Sequence, residues 1–195
     1  MRIFITILSI LLLPCVALAG ESFPWKAKNS VSPNGRYELI WKAAPEAELL
    51  KQKGTPPYQL IFRDLKTGVT HIIEKFEGSV DVLWAPDSNH FAITYNWGSN
   101  VAFVSVYPSK DASHGMNPYD NIKSKIGKMP EVENDNHTYF HALRWQDKDR
   151  LWIRLFGHWD TDGPKNKQFD YHFEISLGGG ARRLRQAEIE TVKKP

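Results

Sequence analysis

Apolar and polar residues alternate along most of this chain, and the alternation breaks at regularly placed turns. Between Arg36 and Lys42, the residues Tyr37, Leu39 and Trp41 fall on one face, with Arg36, Glu38 and Lys42 opposite. This is the two-residue period of a half-buried strand. The same period predicts strands over 58–63, 69–76, 80–84, 91–97, 101–107, 141–145, 150–156, 169–175 and 182–189. Phe91, Ile93, Tyr95 and Trp97 share one face of their strand, and Phe169, Tyr171, Phe173 and Ile175 share one face of theirs. Residues 22–30, with Phe23 and Trp25, read as a polar lead-in and edge strand. A helical pattern replaces the alternation twice. Pro45 to Lys53 starts on proline and ends before Gly54, the usual asymmetry of helix ends. Pro118 to Ile126 follows Asn117 as a cap, carries Asp120 in its first turn and ends at Gly127, so its N-terminus is capped and its dipole complemented.

The turns repeat. Ser32-Pro33-Asn34-Gly35, Trp84-Ala85-Pro86-Asp87-Ser88 and Trp145-Gln146-Asp147 each separate two apolar runs. Proline presets its own φ, and Asn or Asp accepts a bond from its own backbone, so all three are turn chemistry. Pro33 and Pro86 lie 53 residues apart, and Trp84 and Trp145 lie 61 apart. These residues resemble the WD40-like, TolB-type β-propeller repeats, in which a strand, a Trp-x-Pro-Asp-type turn and three more strands make one blade. The resemblance covers Val31 to Ile189, and it implies an all-β, propeller-like fan of about three antiparallel four-stranded sheets with one or two short helical inserts. Blades of this kind run about 40–45 residues. The surplus matches the predicted helix in the first unit and a long excursion, 108–136, where a fourth strand of the second unit is due. Closed rings use about 4–8 blades, so three units predict an open fan, or one that a partner completes.

Composition adds an address. Arg2, the apolar run Ile3 to Leu13 and the small-x-small triplet Ala17-Leu18-Ala19 form a secretory signal with cleavage expected after Ala19, because the run is too short to span a bilayer and Pro14 interrupts it. The expected organisation is therefore a signal peptide over 1–19 and one domain over 20–195. Cys15 is the sole cysteine and leaves with the signal. A disulfide, a thiolate nucleophile and a cysteine zinc site are thereby excluded from the exported chain. Its stability must come from a core, for which 7 Trp, 7 Tyr and, with Phe4 lost in the signal, 9 of the 10 Phe supply the area. The net charge of +3 is spread along the chain without a basic run, so nucleic acid is not an expected partner.

The catalytic signatures of serine hydrolases, zinc peptidases and phosphate-binding loops are missing, and Gly178-Gly179-Gly180 joins two predicted strands. His137 and His141 are four apart, but on a strand they do not converge as they do on a helix. Asp160, Asp162 and Gly163 open like a calcium loop without its later ligands, and Glu131, Glu133 and Asp135 cluster without a defined groove. No cofactor and no metal are expected. Long loops without internal structure are usually functional, which singles out Ser109, Lys110, Asp111, Ser113 and His114 in the excursion as partner-binding residues. Trp159, in a polar loop over 158–167, is the aromatic counterpart. The sequence therefore predicts a non-enzymatic, exported, periplasmic protein that binds another protein. A narrower expectation is an inhibitor or immunity protein against a cell-envelope-directed enzyme. The alternatives are a small-ligand or metal-binding envelope protein using the His158 to Gly163 loop and, third, a hydrolase.

Overall fold

The structure is a computed structural model and describes residues 31–45, 58–97, 101–129, 137–159 and 167–193. Ten strands and two helices follow in order: β1 (Tyr37–Ala43), β2 (Tyr58–Asp64), β3 (Thr70–Phe76), β4 (Ser79–Trp84), β5 (His90–Trp97), β6 (Val101–Pro108), α1 (Pro118–Ile126), β7 (His137–Trp145), β8 (Arg150–Trp159), β9 (Lys167–Ser176), β10 (Gly180–Arg183) and α2 (Gln186–Lys193). The fold is all-β and propeller-like, in three antiparallel units stacked face to face. The expected signal peptide, the lead-in over 22–30, residues 46–53 of the helix expected from Pro45 and the acidic cluster at 131–135 lie outside the described residues.

The three predicted turns have a common geometry. Ser32 N–H donates to Tyr37 O, Ala85 N–H to His90 O and Gln146 N–H to Arg150 O, at 2.8–2.9 Å. In each, the acidic or amide side chain accepts from the backbone N–H two residues on: Asn34 from Arg36, Asp87 from Asn89 and Asp147 from Asp149. The third turn is one residue shorter, which is where the sequence lacks proline. Gly35 and Ser88 occupy the left-handed position of the first two turns, at φ 68° and 62°. Ser88 is held there with its hydroxyl accepting from Asn34 N–H at 3.1 Å, a bond that ties the turn of the second unit to that of the first.

The sheets differ from the expectation of three separate ones. β1-β2-β3 form one sheet, while β10-β9-β8-β7-β6-β5-β4 form a single sheet of seven. The second and third units are joined by a short parallel pairing, Val101 with Thr138 and Ala102 with Tyr139. The cause is the fourth strand that the second unit lacks. With the edge of β6 uncovered, β7 starts at His137, four residues before the predicted strand, and fills part of it. One further residue of a fourth strand does exist, since Met116 exchanges both backbone bonds with Val106 at 2.8 and 2.9 Å. Val31 likewise bridges Glu38 at the β1 edge of the first unit.

The alternating faces of the middle unit separate two cores. Phe91, Ile93 and Tyr95 pack toward the first unit with Tyr37, Leu39, Trp41, Leu60 and Phe62. Ala92, Val104 and Val106 pack toward the third with Leu151, Ile153, Leu155, Phe173 and Ile175. Helix α1 forms over the predicted residues, with the Asn117 side chain accepting from Tyr119 N–H. Its Ile122, and Met129 beyond it, are buried in the second core. Trp84 and Trp145 are both mostly buried, and Trp145 Nε1–H donates to Leu83 O at 3.0 Å, a direct bond between neighbouring units. Trp145→Phe is expected to cost about 1 kcal/mol through loss of that bond, read as a lower urea midpoint. An unchanged midpoint would mean the units hold together without it.

Two further expectations are corrected. The strand predicted over 182–189 ends at Arg183, and Gln186–Lys193 is helical. Glu188 decides this: its carboxylate accepts Arg185 N–H at 2.8 Å, half of a capping box at a helix start, and it grips Arg182 through both oxygens. Trp97, expected on the buried face with Tyr95, is 60% exposed. The pairing with β4 ends at Asn96, opposite Ser79, so Trp97 lies one residue past that strand.

Candidate functional site

The excursion after β6 leaves from the turn end of the fan, because His90 and Pro108 are paired at that end of the β5–β6 hairpin. It is a loop anchored at several points. Ser109 N–H donates to Asn89 O at 2.8 Å, and Asp111 N–H to Pro108 O at 3.2 Å. Ala112 is buried in the first core. Gly115 lies directly on the Tyr107 ring, where an added Cβ would come within 2.7 Å of ring carbons. The Met116 bridge then closes the loop. Tyr107 is itself fixed, its hydroxyl 3.3 Å from that of Tyr95.

This anchoring sorts the predicted partner-binding residues. Lys110, Asp111, Ser113 and His114 are exposed. Ser109 is not: it is only 2% exposed, because its backbone bond to the neighbouring turn draws it inward. The excursion is therefore only partly exposed: Ser109, Ala112, Ile122 and Met129 are all buried. Trp159 closes β8, pairing with Lys167, so it belongs to a strand end rather than a loop. Its side chain and residues 160–166 lie outside the described residues.

Asp111, Ser113 and His114 are the residue types of a hydrolytic triad, but their geometry is that of a turn. The Ser113 hydroxyl bonds the Asp111 carboxylate and also lies 2.7 Å from His114 Nδ1. Asp111 approaches that same ring nitrogen, at 3.9 Å. A triad sets acid and nucleophile on opposite nitrogens of the imidazole. Here Ser113 N–H also donates to Asp111, which is the local bonding of an Asx turn. The Ser113 hydroxyl is the main cause holding the Asp111 carboxyl below its ordinary range.

Beside the loop, a cleft of about 250 Å³ opens between the first unit and the excursion, lined by Arg36, Tyr37, Phe62, Asp64, Thr67, Val69, His71, Ser109 and Lys110. Each element contributes for a local reason. Arg36 follows the first turn, Asp64 to His71 form the β2–β3 hairpin, and Ser109 and Lys110 start the loop. Arg36 and Asp64 are paired at 3.0 Å, and this bond lowers the Asp64 carboxyl and raises the Arg36 guanidinium. Asp64 also accepts from Lys66 and Thr67 N–H, so it is fully engaged within its own hairpin. Two residues of the lining also carry a buried atom with no hydrogen-bond partner among the described residues, Ser109 Oγ and His71 Nε2. Such a group costs about 1–3 kcal/mol when left unpaired.

A second concavity, of about 230 Å³, sits toward the opposite end, lined by Glu74, Lys75, Phe76, Glu77, Tyr95, Trp97, Phe103 and Ser105. Trp97 and the 46%-exposed Phe103 meet edge-on there, with centroids 6.5 Å apart. On the third unit, His137 stacks on His158 at 4.3 Å across the β7–β8 pair rather than joining His141. His141 packs against Phe156 instead, and burial lowers its pKa. Among the described residues, no three His, Cys, Asp or Glu side chains come together as metal ligands. Within the same residues no helix is long and apolar enough to cross a membrane.

The chain matches no family model and no curated protein. Solved structures similar to it include the β-propeller domain of the Trilobed protease from Pyrococcus furiosus, which has an open velcro topology, at 12% identity and TM-score 0.45 over 80% of this chain and 41% of that one. The tricorn protease is similar at 13% identity and TM-score 0.43 over 76% and 13% of the two chains. The putative TolB from Agrobacterium tumefaciens is similar at 12% identity and TM-score 0.39 over 80% and 47%. This chain spans less than half the length of each.

Proposed function

We propose that this chain is an exported, non-enzymatic protein-binding module of the bacterial periplasm, acting as an inhibitor or immunity protein against an enzyme directed at the cell envelope. The observation that carries the reading is the anchored excursion. Lys110, Asp111, Ser113 and His114 stand exposed on a loop whose flanks, Ser109, Ala112 and Met116, are fixed by burial or backbone bonds. A loop ordered before contact loses little conformational freedom on binding, so its contacts count more fully toward affinity. A projecting, pre-ordered loop is also the shape that fills an enzyme's groove. The export segment Arg2 to Ala19 supports the periplasmic address.

Affinity capture from envelope extract, with the purified protein as bait, tests the reading. One stoichiometric partner is expected. The double variant Lys110→Glu/His114→Glu should lose most of it while keeping the melting transition, since both side chains are on the surface. Equal retention of the partner by the variant would overturn the assignment of this loop.

A further inference from the structure

We propose that the groove between β3 and the β5–β6 hairpin is a binding site for a small organic cation with a methylated ammonium head. The inference does not rest on the protein-binding reading. Strand alternation brings aromatic rings and a carboxylate onto two facing surfaces. On β5, Tyr95 and Trp97 share one face, and Phe103 of β6, paired directly with Tyr95, lies on it too. On β3, Glu74 is paired with the buried Leu60 and lies two residues from the buried Phe76. Glu74 and Phe76 therefore look toward the core that Leu60 shares with the middle unit. The Phe76 and Tyr95 rings are 6.2 Å apart between centroids and, being buried, form the floor. Trp97 and Phe103 stand exposed at the mouth, rings edge-on to each other. Glu77, also exposed, completes this part of the lining.

Charge complementarity sets the sign of the ligand. Among the described residues neither Glu74 nor Glu77 forms an ion pair, while Lys75, the cation of the lining, falls on the other face of β3 in the alternation. The Glu74 charge is felt at the Tyr95 and Tyr107 hydroxyls, where it favours the protonated form. An anion would meet both carboxylates, and the aromatic faces add negative potential of their own. The hydroxyls of the lining set the kind of cation. Tyr95 is bonded to Tyr107, and Ser105 bonds the same Tyr107 hydroxyl. These groups are satisfied among themselves, so a primary ammonium or guanidinium would bring N–H donors against rings that leave them unpaired. A methylated ammonium has no such donor. It spreads its charge over methyl groups and is attracted to ring faces, that of Trp most strongly. The volume, about 230 Å³, lies below the roughly 300–1,000 Å³ of pockets that enclose drug-sized ligands and suits a head group.

NMR titration of the purified protein with choline and with tetramethylammonium, at constant ionic strength, tests the proposal. Saturable shifts are expected at the Trp97 indole N–H and at the Glu74 and Phe103 amides. The neutral carbon isostere of choline, in which a tert-butyl group replaces the trimethylammonium head, should bind at least about tenfold more weakly. Trp97→Ala and Glu74→Gln should each weaken choline binding about tenfold, the upper scale of one cation–π or charge contact. Both residues are exposed, so the melting transition should be kept. Sedimentation velocity is expected to show a monomer at every concentration used. The proposal is overturned if neither cation saturates, or if the isostere or methylammonium binds as tightly as choline. It is also overturned if both variants bind as the parent does. A dimer that Trp97→Ala dissolves would overturn it as well, since the face would then be a contact between copies of this chain.

Discussion

Replacing Phe91 by alanine is expected to remove about 3–5 kcal/mol of stability, the range for truncating a buried aromatic. Phe91 is fully buried, and its ring joins elements that are distant in sequence. Trp84 lies 4.9 Å away between centroids, Tyr107 5.3 Å and Phe62 5.8 Å. Phe62 belongs to the first unit, Trp84 and Tyr107 to the second. The cavity left by alanine would open at the seam between units, where neither sheet can collapse without moving the other. Urea denaturation should show a lower midpoint with little change in slope. A loss under about 1 kcal/mol, the level of a surface change, would mean that the first unit does not rest on the second as described.

Gly157→Ala is the second large effect. In β8 this residue lies on the face that carries Leu151, Ile153 and Leu155 into the second core. A Cβ built there would fall 2.0 Å from His137 O and 2.7 Å from Phe169 Cζ. A phenyl edge can shift, but a strand carbonyl cannot do so without displacing β7. The start of β7 is also the only part that pairs with β6, so the displacement would strain the junction of the second and third units. A loss of about 3 kcal/mol or more is expected, at or beyond the upper end for overpacking. Faster amide exchange at Thr138 and Tyr139 should accompany it. Gly178→Ala is the control: its Cβ would meet only Ser176 Oγ at 3.7 Å, and its midpoint should barely move.

The strands and the three turns were legible because both depend on local chemistry. Two-residue alternation marked Tyr37, Leu39 and Trp41 as one buried face, and the proline and Asx positions marked the turns. Helix α1 was legible for the same reason, since Asn117, Pro118 and Gly127 are local end signals. Helix α2 carried a signal too, Glu188 three residues after Arg185, but the arginines of 182–185 read equally well as an exposed strand. What could not be read was anything that depends on one unit meeting another. The β6–β7 pairing arises from an uncovered edge, which is a property of the assembled sheet. Ser109 stood in a polar loop sequence and is buried only because Asn89, on the neighbouring turn, accepts its N–H. Arg36, Asp64 and His71 gave no sign of sharing a cleft with Lys110, since they come together only when the first unit stacks on the second. Trp97 misled in the opposite sense, its position in the alternation being right and its cover missing.

The partner is expected to be held at the turn end of the fan, on the excursion and the cleft beside it. Hydrogen–deuterium exchange of the protein alone and in complex with its captured partner tests this most directly. Binding at this end predicts slowed exchange over 108–116 and over the β2–β3 hairpin, 63–71, with the outer face of β8 and β9 unchanged. Protection confined to β7–β9, or to the Trp97 and Phe103 groove at the other end, would contradict it.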